Sequence, residues 1–392
     1  MSGRSFQRGG MLIVVDTRPE AIKLAPLIIA LRQRDVLPAT VCATGQHRMF
    51  DGALADFGLV ADIDLDLMQP GQRPEEVVAA ALPALAKVIA ATRPAAVIVQ
   101  GDTASAFAGA QAGASAQVPV VHVEAGLRSG DTPEPFPEEL HQCFIAQLAA
   151  LHFAPTTTAR AALRREGVAA AAIELVGNTG SDALRLTVAR LVADPALQRL
   201  AAALLPPLDP ALPMLLVTAH RRENHGQRLL AVAAALQQLA ASGSVQIVLP
   251  VHPHPAVREA LVVPLTSVPH IHVIPPLSYL AFVLLLQRAR VVLTDSGGIQ
   301  EEAPALGCPV LVLRATTERR EGIAAGAAQL VGTSADTIVT AIRRLLDDAG
   351  HHAAMATPRL PYGDGYAAGR IATALERRFA LTELGAEVAQ AP

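Results

Sequence analysis

Charged residues are scarce in this chain, 17% of its 392 residues against 51% hydrophobic. A chain so poor in charge lacks the self-repulsion of a disordered acidic or basic segment and has ample apolar material for packed cores. Neither sign of charge dominates, since 32 Lys and Arg stand against 35 Asp and Glu for a net charge of −3. No broad basic surface exists to neutralise a nucleic-acid backbone, so an anionic ligand has to meet local positive charge. Cysteine is nearly missing: Cys42, Cys143 and Cys308 lie far apart in apolar surroundings, which argues against a disulfide framework and a clustered zinc site and points to a reducing cytoplasm. Long apolar runs are missing too. Met11–Val15 is too short for a signal peptide before Asp16, Val77–Ala91 contains Pro83 and Lys87, and the uncharged 103–121 is broken by Gln111, Gln117 and Pro119. The expectation is a soluble protein with no membrane and no nucleic-acid partner. No Gly-x-Gly-x-x-Gly follows the first apolar run and no metal-ligand cluster is visible, so neither a nicotinamide nor a metal cofactor is expected.

What the chain does have is alternation. Short apolar runs, such as Met11–Val15, 95–99, 118–123, 214–217, 291–293 and 309–313, each give way to Gly, Asp, Thr or His and then to an alanine- and leucine-rich segment. This is the pattern of parallel strands covered by helices on both faces. The runs form two sets, separated by a helical-looking 181–205 and the proline-rich 206–213. Two successive doubly wound, Rossmann-like α/β domains facing an interdomain cleft fit better than one wide sheet, and ligands bind such sheets beyond the carboxyl ends of the strands.

Chemistry-bearing residues cluster at those ends. Asp16-Thr17-Arg18-Pro19-Glu20-Ala21-Ile22-Lys23 follows the first run, with Pro19 suited to a helix start and Arg18 and Lys23 suited to a diphosphate. Gln100-Gly101-Asp102-Thr103 and His122-Val123-Glu124-Ala125-Gly126-Leu127-Arg128 bring carboxylates to two further ends. Read singly, Asp102 is a helix N-cap and Glu124 a partner of Arg128. Pro133, Pro135 and Pro137 lead stiffly into Glu138-Glu139, and Thr218 to Asn224 gathers imidazole, guanidinium and carboxylate. The most informative local signal is Thr294-Asp295-Ser296-Gly297-Gly298-Ile299-Gln300-Glu301-Glu302, where glycines between strand and helix let backbone amides approach phosphate oxygens and Glu302 can accept ribose hydroxyls. Arg314 and 316–321 add donors. His252-Pro253-His254 reads as hydrogen-bonded or packed histidines rather than metal ligands.

Taken together and in order, these segments, with Thr44-Gly45-Gln46-His47-Arg48, Gly177-Asn178-Thr179, His220-Arg221-Arg222-Glu223, 316–319 and Pro361-Tyr362-Gly363-Asp364-Gly365, resemble the non-hydrolysing UDP-N-acetylglucosamine 2-epimerase family across nearly the whole chain. The resemblance implies a fold of the glycosyltransferase-B type. Its first domain would span 1–172 with a C-terminal helix in 363–392 packing back on it, and its UDP-binding domain would span 173–362. It implies interconversion of UDP-GlcNAc and UDP-ManNAc through elimination of UDP, a 2-acetamidoglucal intermediate and re-addition, without a cofactor. By motif position the catalytic residues would be Asp102, Glu124, Glu138 and His220. Arg18 and Lys23 match sugar-nucleotide contacts of the first domain, and Phe282, Ser296, Gly297, Gly298, Glu302 and Arg319 match uridine, ribose and phosphate contacts. Gln46, His47, Gln72 and Arg73 lie where an activating second UDP-GlcNAc binds, and a homodimer is implied.

This chain departs from the family pattern at several positions. Asp16 stands for glycine, Leu140-His141 for Asn-Arg, Gln100 for histidine, Gly180-Ser181 for two aliphatic residues and Arg320 for proline. A carboxylate at 16 beside an approaching diphosphate is repulsive unless it turns away or finds a cation. The alternatives are a 2-epimerase of a modified UDP-amino sugar or uronic acid, a glycosyltransferase or hydrolysing relative, and a catalytically silent nucleotide-sugar sensor of the same fold.

Overall fold

The computed structural model describes residues 9–34, 36–45, 49–69, 71–130 and 136–380. The candidate residues Gln46 and His47, the prolines at 133 and 135 and the last part of the expected C-terminal helix lie outside them. The apolar runs become two parallel sheets, because a strand covered on both faces has no solvent side for alternating polar residues. The first contains β1 (Met11–Val15), β2 (Ala39–Ala43), β3 (Ile63–Asp64), β4 (Ala96–Gln100), β5 (Val120–Val123), β6 (Leu151–Ala154) and β7 (Ile173–Leu175), in the order β3-β2-β1-β4-β5-β6-β7. The second contains β8 (Met214–Thr218), β9 (Gln246–Pro250), β10 (Ile271–Ile274), β11 (Val291–Thr294), β12 (Val310–Val312) and β13 (Ala328–Leu330), in the order β10-β9-β8-β11-β12-β13.

In each sheet the strand order reverses beside the first strand, between β1 and β4 and between β8 and β11, where the pairing is parallel. Helices leaving the two strands at such a point go to opposite faces, so the strand ends stay uncovered and can receive a ligand. The core between sheet and helix is close-packed. Leu12, Val14, Val97 and Val99 share one buried cluster with Leu85, Ile89, Ala106 and Ala110. The alanine-rich helix Ala104–Ser115 comes near enough that a Cβ on Gly109 would stand 3.0 Å from Val99 and 3.2 Å from Val14.

The described residues form two compact units. One comprises the chain up to Arg185 together with the part from Tyr362 on, and the other is Leu186–Pro361. The change of unit falls at Arg185 rather than at 172, because Ile173–Leu175 pairs with β6 as the last strand of the first sheet. The expected helical stretch 181–205 is two helices, Thr179–Ala193 and Pro195–Ala202, broken where Asp194 caps the second by accepting from Ala196 and Leu197 N–H. In the first unit, the helix Ala367–Leu375 is capped by buried Asp182, whose oxygens accept from Ala367 N–H (3.0 Å) and Ala368 N–H (2.9 Å). Asp182→Ala should therefore lower unfolding stability by about 0.5–2 kcal/mol, read as a lower urea midpoint with faster amide exchange across 367–375. Among the described residues no helix is long and apolar enough to cross a membrane.

Candidate functional site

In the first unit the switch point gathers three side chains on one carboxylate. Asp16 and Thr17 turn β1 into the helix Arg18–Arg34, which carries Arg18 at its start and Lys23 on its second turn. β5 stops at Val123, and Glu124 adopts a left-handed φ of +62°, a conformation that costs a non-glycine residue about 1–3 kcal/mol and persists only where its surroundings hold it. Here they do. Lys23 Nζ donates to Glu124 Oε1 at 2.6 Å, Asn178 Nδ2 donates to the same oxygen at 2.7 Å, and Gln100 Nε2 donates to Oε2. Gly101, with φ +67°, keeps the space clear: a Cβ there would stand 3.3 Å from Glu124 Oε2. The local expectation for Glu124 is corrected, because Arg128 instead makes a bidentate pair with Glu166 at 2.8 and 2.6 Å.

Asp102 is half-buried in the turn between β4 and the helix Ala104–Ser115. It is not the N-cap. Thr103 is, accepting from Ala106 N–H at 3.0 Å. The turn's backbone is tied from two sides, by His122 Nε2 to Gly101 O at 2.8 Å and by His141 Nδ1 to Asp102 O at 2.9 Å. Burial pushes His122 down to about 3 and His141 below its ordinary value, so both rings are neutral near pH 7 and these nitrogens donate. The His141 ring stacks on Phe107 with centroids 5.2 Å apart, so the residue that replaces the family's arginine holds the Asp102 backbone. The adjacent glutamates divide: Glu139 is buried and accepts from Ser129 N–H (2.8 Å) and Gly130 N–H (3.2 Å), while Glu138 stands half-buried at the start of the helix Glu138–Leu148.

The second unit repeats the pattern with an anchor at Asp295. Fully buried at the end of β11, Asp295 accepts from His220 N–H (2.9 Å), Arg221 N–H (2.9 Å) and Asn224 Nδ2 (3.0 Å), so it folds the loop after β8 around itself. The exposed His220 ring lies with Nδ1 3.4 Å from Asp295 and stacks on His252 at 5.6 Å. The neighbouring histidine behaves as expected, His254 Nδ1 accepting from Ala256 N–H. Ser296 caps the helix Gly297–Ala305 without a side-chain cap bond, leaving its hydroxyl and the first-turn amides available to an anion's oxygens. Nothing stands within 4 Å of a Cβ built on Gly298, while one on Gly297 would meet the Arg319 guanidinium at 3.3 Å.

Arg319 is braced by carboxylates, Nε donating to Glu301 at 2.7 Å and Nη1 to Glu318 at 3.0 Å. Against the upward push of burial, the guanidinium groups of Arg319, Arg221 and Arg314 hold Glu318 down to about 2. Glu302 accepts from the Tyr279 hydroxyl at 3.0 Å, and Phe282 is half-buried in the same helix, Tyr279–Leu286. Gln72 and exposed Arg73 serve local structure, Gln72 Oε1 accepting from Gln69 N–H and Arg73 meeting Glu75 and Glu76 at the start of the helix Pro74–Thr92. Sequence reasoning gave no separate role to Asn178, Tyr279, Asp295 or Glu318. Asp295 directly follows the strand-end Thr294 and Asn178 stands three residues past β7, positions that could have marked them; Tyr279 and Glu318 carry no such mark.

The family model for UDP-N-acetylglucosamine 2-epimerase matches residues 29–376. The UDP-N-acetylglucosamine 2-epimerase of Escherichia coli K12 is 45% identical over 368 residues, covering 93% of this chain and 98% of its own. The crystal structure of UDP-GlcNAc 2-epimerase from Neisseria meningitidis bound to UDP-GlcNAc superposes with a TM-score of 0.91 at 38% identity, covering 94% of this chain and 100% of that one. The glycosyltransferase SnogD from Streptomyces nogalater shares the fold alone, with a TM-score of 0.55 at 19% identity over 94% of this chain and 100% of its own. Two doubly wound domains of the glycosyltransferase-B type, carrying the motifs in family order, and these likenesses over nearly the full length agree: the chain belongs to the non-hydrolysing UDP-N-acetylglucosamine 2-epimerase family.

Proposed function

We propose that this chain is an isomerase that interconverts UDP-N-acetylglucosamine and UDP-N-acetylmannosamine by inversion at C2. The observation that carries the reading is the convergence of Lys23, Gln100 and Asn178 on Glu124 at the switch point of the first sheet, beside the turn bearing Asp102. In this reading the second unit holds UDP. The diphosphate meets the Ser296 hydroxyl, the amides at Gly297 and Gly298 and the His220 imidazole, Arg319 supports that surface, Glu302 takes ribose hydroxyls and Phe282 lies by the base.

The first unit performs the proton chemistry. One of Asp102, Glu124 and Glu138 removes the C2 proton, the released pair forms the C1–C2 double bond, and the C1–oxygen bond breaks with its electrons leaving on UDP. Arg18 and Lys23 offset the charge that develops on the leaving diphosphate. The glycal then gains a proton at C2 on the opposite face while the UDP oxygen re-forms its bond to C1. Substrate and product have the same oxidation state, so no hydride carrier is needed. The same reading includes a homodimer and an activating UDP-GlcNAc at Gln46, His47, Gln72 and Arg73; sedimentation and a sigmoidal dependence of rate on substrate test those two.

A proton NMR assay of the purified protein with UDP-GlcNAc distinguishes the epimer from free sugar, transfer to an acceptor and no reaction, and only the first sustains the proposal. Glu302→Ala should weaken UDP binding about 10- to 150-fold in calorimetry, the equivalent of losing a charge-assisted contact of about 1.5–3 kcal/mol. Tyr279→Phe, which removes only the hydroxyl that Glu302 accepts from, separates ribose contact from loss of support. Unchanged affinity in Glu302→Ala would remove Glu302 from the site.

A further inference from the structure

We infer that Glu20 is a positioning residue for the turn that carries Asp102, and that Asp16 serves it by keeping the one proton the two carboxyl groups share. Glu20 is buried on the first turn of the helix Arg18–Arg34 and works with both oxygens. Its Oε2 accepts from Thr17 N–H (2.6 Å), Thr17 Oγ1 (2.9 Å) and Asp16 N–H (3.1 Å), and its Oε1 accepts from Thr103 Oγ1 (2.7 Å). Thr103 is also the cap of the next helix and immediately follows Asp102. A single carboxylate thus fastens the turn after β1 to the turn after β4, adding a third tie to those of His122 and His141. Oε2 takes three of these bonds and Oε1 the fourth, and so many donors on one carboxyl group favour its ionised form.

Asp16 has the opposite surroundings. It is 3% exposed, Oδ2 accepts from Ser105 Oγ at 2.8 Å, and Oδ1 has no hydrogen-bond partner. No cation pairs with it among the described residues. A second negative charge buried there beside Glu20, with hydroxyl donors but no cation to offset it, is costly, and a proton on Asp16 removes it. Burial pushes Asp16 upward, and burial followed by the charge of Asp16 pushes Glu20 up to about 7, against the hydrogen bonds from Thr17 and Thr103. The pair titrates as a unit, and the charge falls to Glu20, the member with more hydrogen-bond donors. The other groups on the surrounding elements are Arg18 and Lys23 on the same helix, Cys42 on β2, Asp102 after β4 and Glu124 after β5. Lys23 is bound to Glu124, burial holds the Cys42 thiol up near 12, and His122 and His141 are pushed below neutrality. Neither the Cys42 thiol nor these two imidazoles titrate just above pH 7, where loss of the shared proton sets two buried charges against each other and loosens the Thr103 tie.

The effect on kcat rests on the epimerase reading, and amide exchange, which needs no turnover, distinguishes failure of one from failure of the other. Between about pH 7 and about pH 9 wild-type kcat should fall about tenfold at constant KM, and the amides of 101–106 should lose protection beyond the intrinsic rise of exchange with pH. Asp16→Asn, which mimics the protonated acid with an amide donor, should abolish both changes. Glu20→Gln has a single accepting oxygen and should lower kcat about tenfold or more at every pH while UDP affinity stays unchanged. Where that variant does not fold, Thr103→Val removes the same tie at similar volume and should act alike. A carboxyl raised on folding stabilises most below its unfolded value of 4.5 and loses that advantage as pH rises toward about 7. The urea midpoint should accordingly decline over that window in wild type and less in Asp16→Asn. An alkaline loss of rate and protection in Asp16→Asn equal to that of wild type, or a wild-type kcat in both Glu20→Gln and Thr103→Val, overturns the inference. Should wild type not epimerise, the exchange profile alone decides it.

Discussion

Epimer formed in heavy water should carry deuterium at C2, and Glu138→Gln should slow its formation about 100- to 10,000-fold while leaving UDP affinity nearly unchanged. Elimination removes the C2 proton to a side chain, and a half-buried carboxyl exchanges that proton with solvent before the glycal is protonated from the other face. Glu139, not Glu138, carries the hydrogen bonds that hold the Ser129 and Gly130 amides, so an amide at 138 removes a charge without removing those ties. Glu139→Gln is the matching control, expected to loosen the Ser129 and Gly130 amides and lower stability through loss of a buried charge-assisted acceptor. Retention of the original hydrogen at C2 would exclude elimination, and a wild-type rate in Glu138→Gln would remove it from the machinery.

The second large effect concerns the pair of Lys23 and Glu124. Their side chains are 12% and 4% exposed and meet at 2.6 Å, so removing either partner strands a buried charge. Each of Lys23→Met and Glu124→Gln should lower the stability of the first unit by about 3–5 kcal/mol, whereas the double variant should regain most of that loss, because replacing both members of a buried pair leaves no uncompensated charge. Turnover should not return with stability. Local unfolding followed by amide exchange, with kcat measured on the same samples, separates the two roles. A double variant that is both stable and fully active would make Glu124 a structural partner of Lys23 and nothing more; two single variants as stable as wild type would mean that the pair does not hold the turn.

Much of the fold was legible because central strands buried on both faces must be continuous apolar runs. MLIVV at Met11–Val15 was found at its observed bounds, and 214–217 falls one residue short of the fully buried β8, Met214–Thr218. Shorter elements were not: β3 has two residues, and His152, Glu174 and Gln329 interrupt β6, β7 and β13, whose existence depends on hydrogen bonds to a neighbouring strand rather than on pattern. At the site, the sequence determined which residue types stand at strand ends, and hence that Lys23, Asp102, Glu124, His220 and the 294–302 segment were the ones to consider. It could not determine their partners. The nearest cation in sequence to Glu124 is Arg128, yet the pair forms with Lys23, 101 positions away, and Arg128 goes to Glu166. Asp16 read as a repulsive carboxylate because sequence conveys charge but not desolvation; its burial next to Glu20 is what makes a retained proton the cheaper state. Residue identity is local and was read directly, whereas pairing, burial and protonation depend on which strand ends the parallel sheet sets side by side, and that order is decided only when the chain folds.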